Sequence, residues 1–290
     1  MTPAIAAVLA AGCAVLAVLL LVPWWRWRRR RRLLSTPLEP ALRAALGRHV
    51  RTARLLPAAL AARLEGLVHA FLAEKNFVGC NGLEVTDEIR AAVAGHACLL
   101  LLGRPGSLYD ELRSILVYPS AFWVEDEVED DAGLVTRRRR ELSGEAWDSH
   151  RIILAWDDIA ATAAGPPDGY NVVLHECAHY LDAEGRGLAA PRPRDAARGP
   201  RSLESWHADL TAAYDTFVDA VEHGETTFLD PYGAEDEAEF FAVATEEFIE
   251  RPRELRAAVA TLYALLREYY GIDPAAWHDA SAAGMPAARG

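Results

Sequence analysis

Apolar side chains are unevenly patterned along this chain, and the pattern changes several times. Residues Ala4 to Val22 form an unbroken apolar run with no charged side chain. As a helix, nineteen residues reach about 28 Å, close to the hydrocarbon thickness of a bilayer. Ser35 to Pro40 reads as a short linker. From Ala41 to Lys75, apolar residues recur at helical spacing with a break near Pro57, which predicts two helices. Phe77 to Val85 and Cys98 to Leu102 are short apolar runs of strand length, and Asp87 to Gly95 between them reads as a helix. Ile115 to Val124 is strand-like but interrupted by Pro119, and Ile152 to Trp156 predicts a buried strand. In the second half, Asn171 is placed to cap a helix running to about Asp182. Ser205 to Glu222, Asp236 to Glu250 and Arg253 to Tyr270 predict three more helices. Residues 184 to 201, rich in Gly, Pro, Arg and Ala, read as an exposed loop, and residues 280 to 290 as a disordered tail. Strands early and helices late place the chain in the α+β class, with one domain over residues 41 to 279.

Charge changes the picture at the N-terminus. The 290 residues carry 30 basic and 42 acidic side chains, a formal net charge of −12. Six arginines, Arg26 and Arg28 to Arg32, follow the apolar run and alternate with Trp24, Trp25 and Trp27. Taking those six away leaves 24 bases against 42 acids, a net of −18. An acidic body of that kind repels phosphates and excludes a nucleic-acid partner. A cleaved signal peptide carries its positive charge before the apolar stretch, whereas here it comes after. Residues 1 to 34 therefore read as a single transmembrane anchor with a Trp/Arg-rich flank. Arginines resist translocation, so the expected location is the inner membrane with the domain on its cytoplasmic side. Four scattered cysteines without a CxxC pair agree with a reducing compartment. Further on, an acidic run (Glu125 to Asp131) precedes a basic one (Arg137 to Arg140), and the two can pair across a turn.

Candidate chemistry sits in His175-Glu176-Cys177-Ala178-His179, an HExxH motif inside a predicted helix. Four residues of helix bring the two imidazoles to one face, one turn apart, where both can ligate one Zn²⁺. Glu176 between them is the candidate general base and acid. A catalytic zinc site takes a third protein ligand, and the HExxHxxGxxH continuation is absent. The segment DPYGAEDEAEFFAVATEEFIE offers Glu239 and Glu246, seven apart and on one helical face, and spacing alone does not choose between them. Asp182, three residues after His179, is a candidate for orienting a histidine.

Beyond HExxH, the segments ILVYPSAFWVEDEVEDDAGLV, ELSGEAW, ILAWDDI, GYNVVLHECAHYLD and DPYGAEDEAEFFAVATEEF together resemble the Mlc titration factor A family of zinc-dependent peptidases. The likeness covers roughly Ala41 to Pro274. It implies a zincin-like metallopeptidase domain, similar to the catalytic region of anthrax lethal factor. It also implies Glu239 as the third zinc ligand and Tyr232 as an oxyanion donor. The implied activity is aminopeptidase-type cleavage, and the best-known member binds the glucose repressor Mlc. Two departures stand out. Thr136 occupies the place after "GLV" where the family has a histidine that completes a closed resting site, and the apolar N-terminus is foreign to the best-known, soluble member.

The expectation is a membrane-anchored zinc metallopeptidase acting on a peptide or protein substrate. Zn²⁺ would be held by His175, His179 and Glu239, with Glu176 and Tyr232 catalytic. The alternative is a regulatory binding module that sequesters a cytoplasmic partner such as a transcriptional regulator.

Overall fold

The computed structural model describes residues 3–104, 108–120, 122–129, 135–142, 144–148, 150–186 and 203–282. The fold is mostly helical, around a small sheet. Helix α1 (Pro3–Ser35) is followed by α2 (Pro40–His49) and α3 (Ala58–Glu74). Strand β1 (Asn76–Gly79) and helix α4 (Asp87–Leu99) come next, then β2 (Ser114–Tyr118), β3 (Phe122–Glu129), β4 (Val135–Leu142), β5 (Gly144–Asp148) and β6 (Arg151–Ala155). The remaining elements are helices: α5 (Trp156–Ala164), α6 (Val172–Arg186), α7 (Leu203–Glu222), α8 (Glu237–Glu250), α9 (Pro252–Ala258), α10 (Ala260–Tyr270) and α11 (Pro274–Ala282).

The main sheet has the order β1-β2-β6-β5, with the first three strands parallel and β5 antiparallel at one edge. Parallel strands are usually covered on both faces and read as continuous apolar runs. The β6 sequence IILA fits that rule, since Ile152, Ile153, Leu154 and Ala155 are all buried. Strands β3 and β4 form a separate antiparallel ribbon that sets Glu125, Asp126 and Glu127 opposite Arg139, Arg138 and Arg137.

Several expected elements differ in detail. Cys98 to Leu102 is the end of α4 and the turn after it, not a strand; all five residues are buried, and a fully buried helix end has no polar face to reveal its period. The strand expected over Phe77 to Val85 stops at Gly79, because Asn81 (φ 50°) and Gly82 (φ 80°) turn the chain. Trp156 opens α5, which the apolar pattern did not announce. The single helix expected over Arg253 to Tyr270 is two. Val259 leaves helical geometry (φ −137°, ψ 70°), donates to Leu255 O at 2.8 Å and accepts from Tyr263 N at 3.0 Å, so it ends one helix and starts the next without losing a hydrogen bond. Leu38, in the linker, is buried. Helix α11 runs through residue 282, into the stretch expected as a tail; residues 283–290 lie outside the described residues, as does most of the loop expected at 184–201.

Helix α1 covers the apolar run and the arginine block as one element, and its last turns belong to the domain. Arg30 pairs with Glu74 at 2.6 Å and also reaches Asp110, and a Cβ at Gly66 would collide with the carbonyl oxygen of Leu34, so α1 and α3 touch backbone to backbone. Among the described residues, no helix is long and apolar enough to cross a membrane, so the transmembrane anchor expected over residues 1 to 34 finds no support in the fold.

Candidate metal centre

Two helices build the site. Helix α6 begins where Asn171 caps it: its side-chain oxygen accepts from Leu174 N at 3.2 Å, and its carbonyl accepts from His175 N at 3.0 Å. Val173, Leu174, Cys177, Ala178 and Leu181 are buried and fix which way the helix is turned. Cys177 faces this core; burial pushes its thiol up to about 12, so it is no metal ligand in waiting. Helix α8 starts at Asp236, whose carboxylate accepts from Ala238 N (2.8 Å) and Glu239 N (2.9 Å). Phe241 and Phe248 drive one face of α8 into an aromatic cluster with Tyr263, Tyr269 and Tyr270, with ring centroids 5.0 to 6.2 Å apart. Glu239 lies two residues before Phe241, about 200° around the helix. Packing the aromatics inward therefore aims Glu239 and Glu246 at α6.

The donor atoms converge. His175 Nε2 and His179 Nε2 are 3.1 Å apart, and Glu239 Oε2 is 3.1 Å from the first and 3.5 Å from the second. Bonds of about 2.0–2.1 Å to a tetrahedral ion set its ligand atoms about 3.3–3.4 Å apart. The observed triangle meets that spacing, and Glu239 Oε2 is a buried oxygen that no hydrogen bond satisfies. The donor set therefore fits a metal ion; two imidazoles and one carboxylate suit zinc. Among the described residues these three form the group, and the side chain of Thr136 lies outside them.

A second carboxylate completes the arrangement. Glu246 Oε1 accepts from His175 Nδ1 at 2.9 Å, and its other oxygen accepts from Asn171 N. Asn171 Nδ2 in turn donates to Glu250 Oε1 at 2.8 Å, and Arg51 approaches Glu250 at 3.6 Å while bonding to the carbonyls of Thr162 and Gly165. A proton held on Nδ1 leaves His175 Nε2 as the lone-pair atom facing Glu239 and His179. In the absence of a metal, burial opposes protonation of His175, but the adjoining Glu239 and Glu246 carboxylates outweigh it and raise the imidazole to about 10. Burial likewise acts to raise Glu239, and the two imidazoles overcome it and hold the carboxyl well below the usual range.

Of the two glutamates left open, Glu239 faces the Nε2 atoms of both imidazoles, and Glu246 bonds to Nδ1 of His175. Asp182 is half-buried further along α6, and the carboxylate on His175 Nδ1 is Glu246. Glu176 is buried beside His175. Tyr232 sits in a short 3₁₀ turn (Pro231–Ala234) capped by Asp230, its ring centroid 6.2 Å from that of His175. The Asn171–Glu250–Arg51 chain was not foreseen. Its available signal was Glu246, Glu247 and Glu250, three acids in the last turns of α8, all of them buried. Gly169 belongs to the same region: its φ is 96°, and a Cβ there would strike the Glu247 carboxylate and Arg251.

The sequence profile of the glucose-regulated metallo-peptidase M90 family matches residues 24–271. An uncharacterized protein of Synechocystis is 36% identical over 252 residues, covering 87% of this chain and 90% of its own length. Proteins named Mlc titration factor A from Klebsiella pneumoniae and Cronobacter sakazakii are each 35% identical over 214 residues, covering 73% of this chain and 79% of theirs.

Proposed function

The chain belongs to the glucose-regulated metallo-peptidase M90 family, that of Mlc titration factor A, and on that premise we propose that it is a zinc-dependent peptidase of the aminopeptidase type. The observation that carries this reading is the convergence of His175, His179 and Glu239 within hydrogen-bond distance of one another, with Glu176 next in the chain. These three would hold the ion. Zinc supplies Lewis-acid polarisation of the scissile carbonyl and a lowered pKa for water. Glu176 takes the proton of the attacking water and delivers it to the leaving amine. Tyr232, exposed beside His175, donates its O–H to the substrate oxygen as negative charge develops there. Glu246 keeps the His175 proton on Nδ1 throughout.

The test is hydrolysis of matched peptides with free or acetylated amino termini, before and after chelation and after zinc is restored. The reading expects cleavage of the free-amine peptides alone, lost with chelator and regained with zinc. Chelator-resistant cleavage overturns the metallopeptidase, and equal cleavage of acetylated peptides overturns the aminopeptidase assignment.

The reading extends to placement. Along α1, Val15, Leu16, Val18, Leu19, Leu21 and Val22 are exposed, followed by exposed Trp24, Trp25 and Trp27. With the arginines beyond them, these support a helix seated in the inner membrane with the domain on the cytoplasmic side. Full-length protein that leaves the membrane fraction in carbonate washes contradicts this placement. The name titration factor, carried by the relatives, favours a second role in binding a regulatory protein. Capture of one defined regulator by wild type and by Glu176→Gln alike supports it; capture by neither contradicts it.

A further inference from the structure

The described residues also form a concave site whose lining shares no residue with the metal centre. A cleft of about 1070 Å³ lies between the last turns of α1 and helices α2 and α3. Small-molecule pockets run to about 300–1,000 Å³, so its size suits an organic ligand rather than a lone ion. Five arginines line it: Arg30 and Arg31 from α1, Arg43 from α2, Arg63 from α3, and Arg104. Glu65 is the one acid among the lining residues, and it pairs with Arg43 at 2.8 Å. In a chain of net charge −12, this concentration of positive charge runs against the average. The walls are held: Arg30 is tied to Glu74, Arg104 lies over the Tyr269 ring at 4.5 Å, and Gly66 brings α3 against Leu34.

We propose that this cleft binds the headgroup phosphate of an anionic glycerophospholipid. The inference rests on the membrane placement of α1 proposed above and is independent of the peptidase reading. Guanidinium forks match phosphate oxygens bidentately; Arg30 and Arg43 turn theirs to Glu74 and Glu65, so Arg31, Arg63 and Arg104 are the arginines that would meet an anionic phosphoester. Leu34, Ala58, Ala62 and Leu67 make much of the remaining wall apolar, which a free, fully hydrated phosphate does not require. Trp27 stands at the cleft with Arg31 over its ring at 5.4 Å, and the exposed apolar side chains of α1 continue from there towards the N-terminus. Indole rings favour the headgroup zone, and basic pockets beside membrane helices take anionic headgroups. A lipid seated here meets arginine at its phosphate and the apolar length of α1 at its chains.

The experiment uses the full chain in neutral detergent, titrated with phosphatidylglycerol, phosphatidylcholine or inorganic phosphate. Thermal unfolding and native mass spectrometry of retained lipid are the readouts. The site predicts one retained phosphatidylglycerol and a saturable rise in Tm, neither of them with phosphatidylcholine. Arg31→Gln with Arg63→Gln should weaken phosphatidylglycerol binding at least tenfold without lowering the lipid-free Tm. Arg28→Gln with Arg29→Gln, which removes equal charge outside the cleft lining, should change it less than threefold. Equal response to phosphatidylcholine, equal loss in both double variants, or a response to inorganic phosphate as large as that to the lipid overturns the proposal. Flotation of the full chain with neutral phosphatidylcholine vesicles reads the membrane placement separately. Flotation without selective phosphatidylglycerol binding refutes the cleft alone, and failure to float refutes the placement.

Discussion

Replacing Glu246 by glutamine tests how the metal centre is supported. Glu246 uses both carboxylate oxygens, one accepting from His175 Nδ1 at 2.9 Å and one from Asn171 N. A glutamine has a single acceptor oxygen, so it serves one donor and turns an NH₂ towards the other. It also removes the charge that makes the His175 nitrogen basic. Loss of such an outer carboxylate lowers metal affinity about 10–100-fold, or about 1.4–2.7 kcal/mol. The mismatch at a buried N–H costs about 1–3 kcal/mol of folding stability as well. Competition against a chromophoric chelator at fixed pH measures the first effect, and denaturant unfolding of the metal-free protein measures the second. Glu247→Gln is the control, since the neighbouring carboxylate is also buried but pairs with Arg251 rather than a histidine. Zinc affinity unchanged in Glu246→Gln, or lowered equally in Glu247→Gln, refutes the supporting role.

Two other predictions concern catalysis and folding. Tyr232→Phe removes a single oxyanion donor and should lower kcat about 10²–10³-fold, with KM and zinc content nearly unchanged; the steady-state rates on a cleaved peptide measure it. His96 is fully buried, with Nδ1 3.0 Å from Ala92 O, and burial lowers it to about 4 from an ordinary value of 6.5. Between those values the unfolded chain holds the extra proton, so stability is full above pH 6.5, falls as the pH drops, and levels off below about 4. The contribution is at most about 3 kcal/mol. Comparing wild type with His96→Leu by unfolding of metal-free protein should show an acid slope that is steeper in wild type.

The pairing of the two motif histidines was legible in the sequence because its geometry is local. Helical spacing alone brings His175 and His179 together, and the Asn171 cap was visible three residues before Leu174. Glu239 and Glu246 share one helical face in the sequence, and only the packing of α8 on α6 separates their contacts. The Asn171–Glu250–Arg51 chain joins residues far apart in sequence, and no periodicity encodes it. Other misreadings have the same source. Cys98 to Leu102 is buried on every side, so helix and strand look alike. Val259 breaks a helix in the middle of an apolar pattern that continues across it. The charge runs facing each other on β3 and β4 were readable, because complementary charge is written in sequence order.

The most direct test of the central claim is to measure zinc content and peptide hydrolysis together in wild type and Glu176→Gln. The proposed chemistry needs the glutamate for proton transfer and does not need it to hold the ion. It predicts one zinc per chain in both proteins, with hydrolysis in the wild type only. Hydrolysis retained by Glu176→Gln, or a wild type that cleaves without bound metal, would contradict the account.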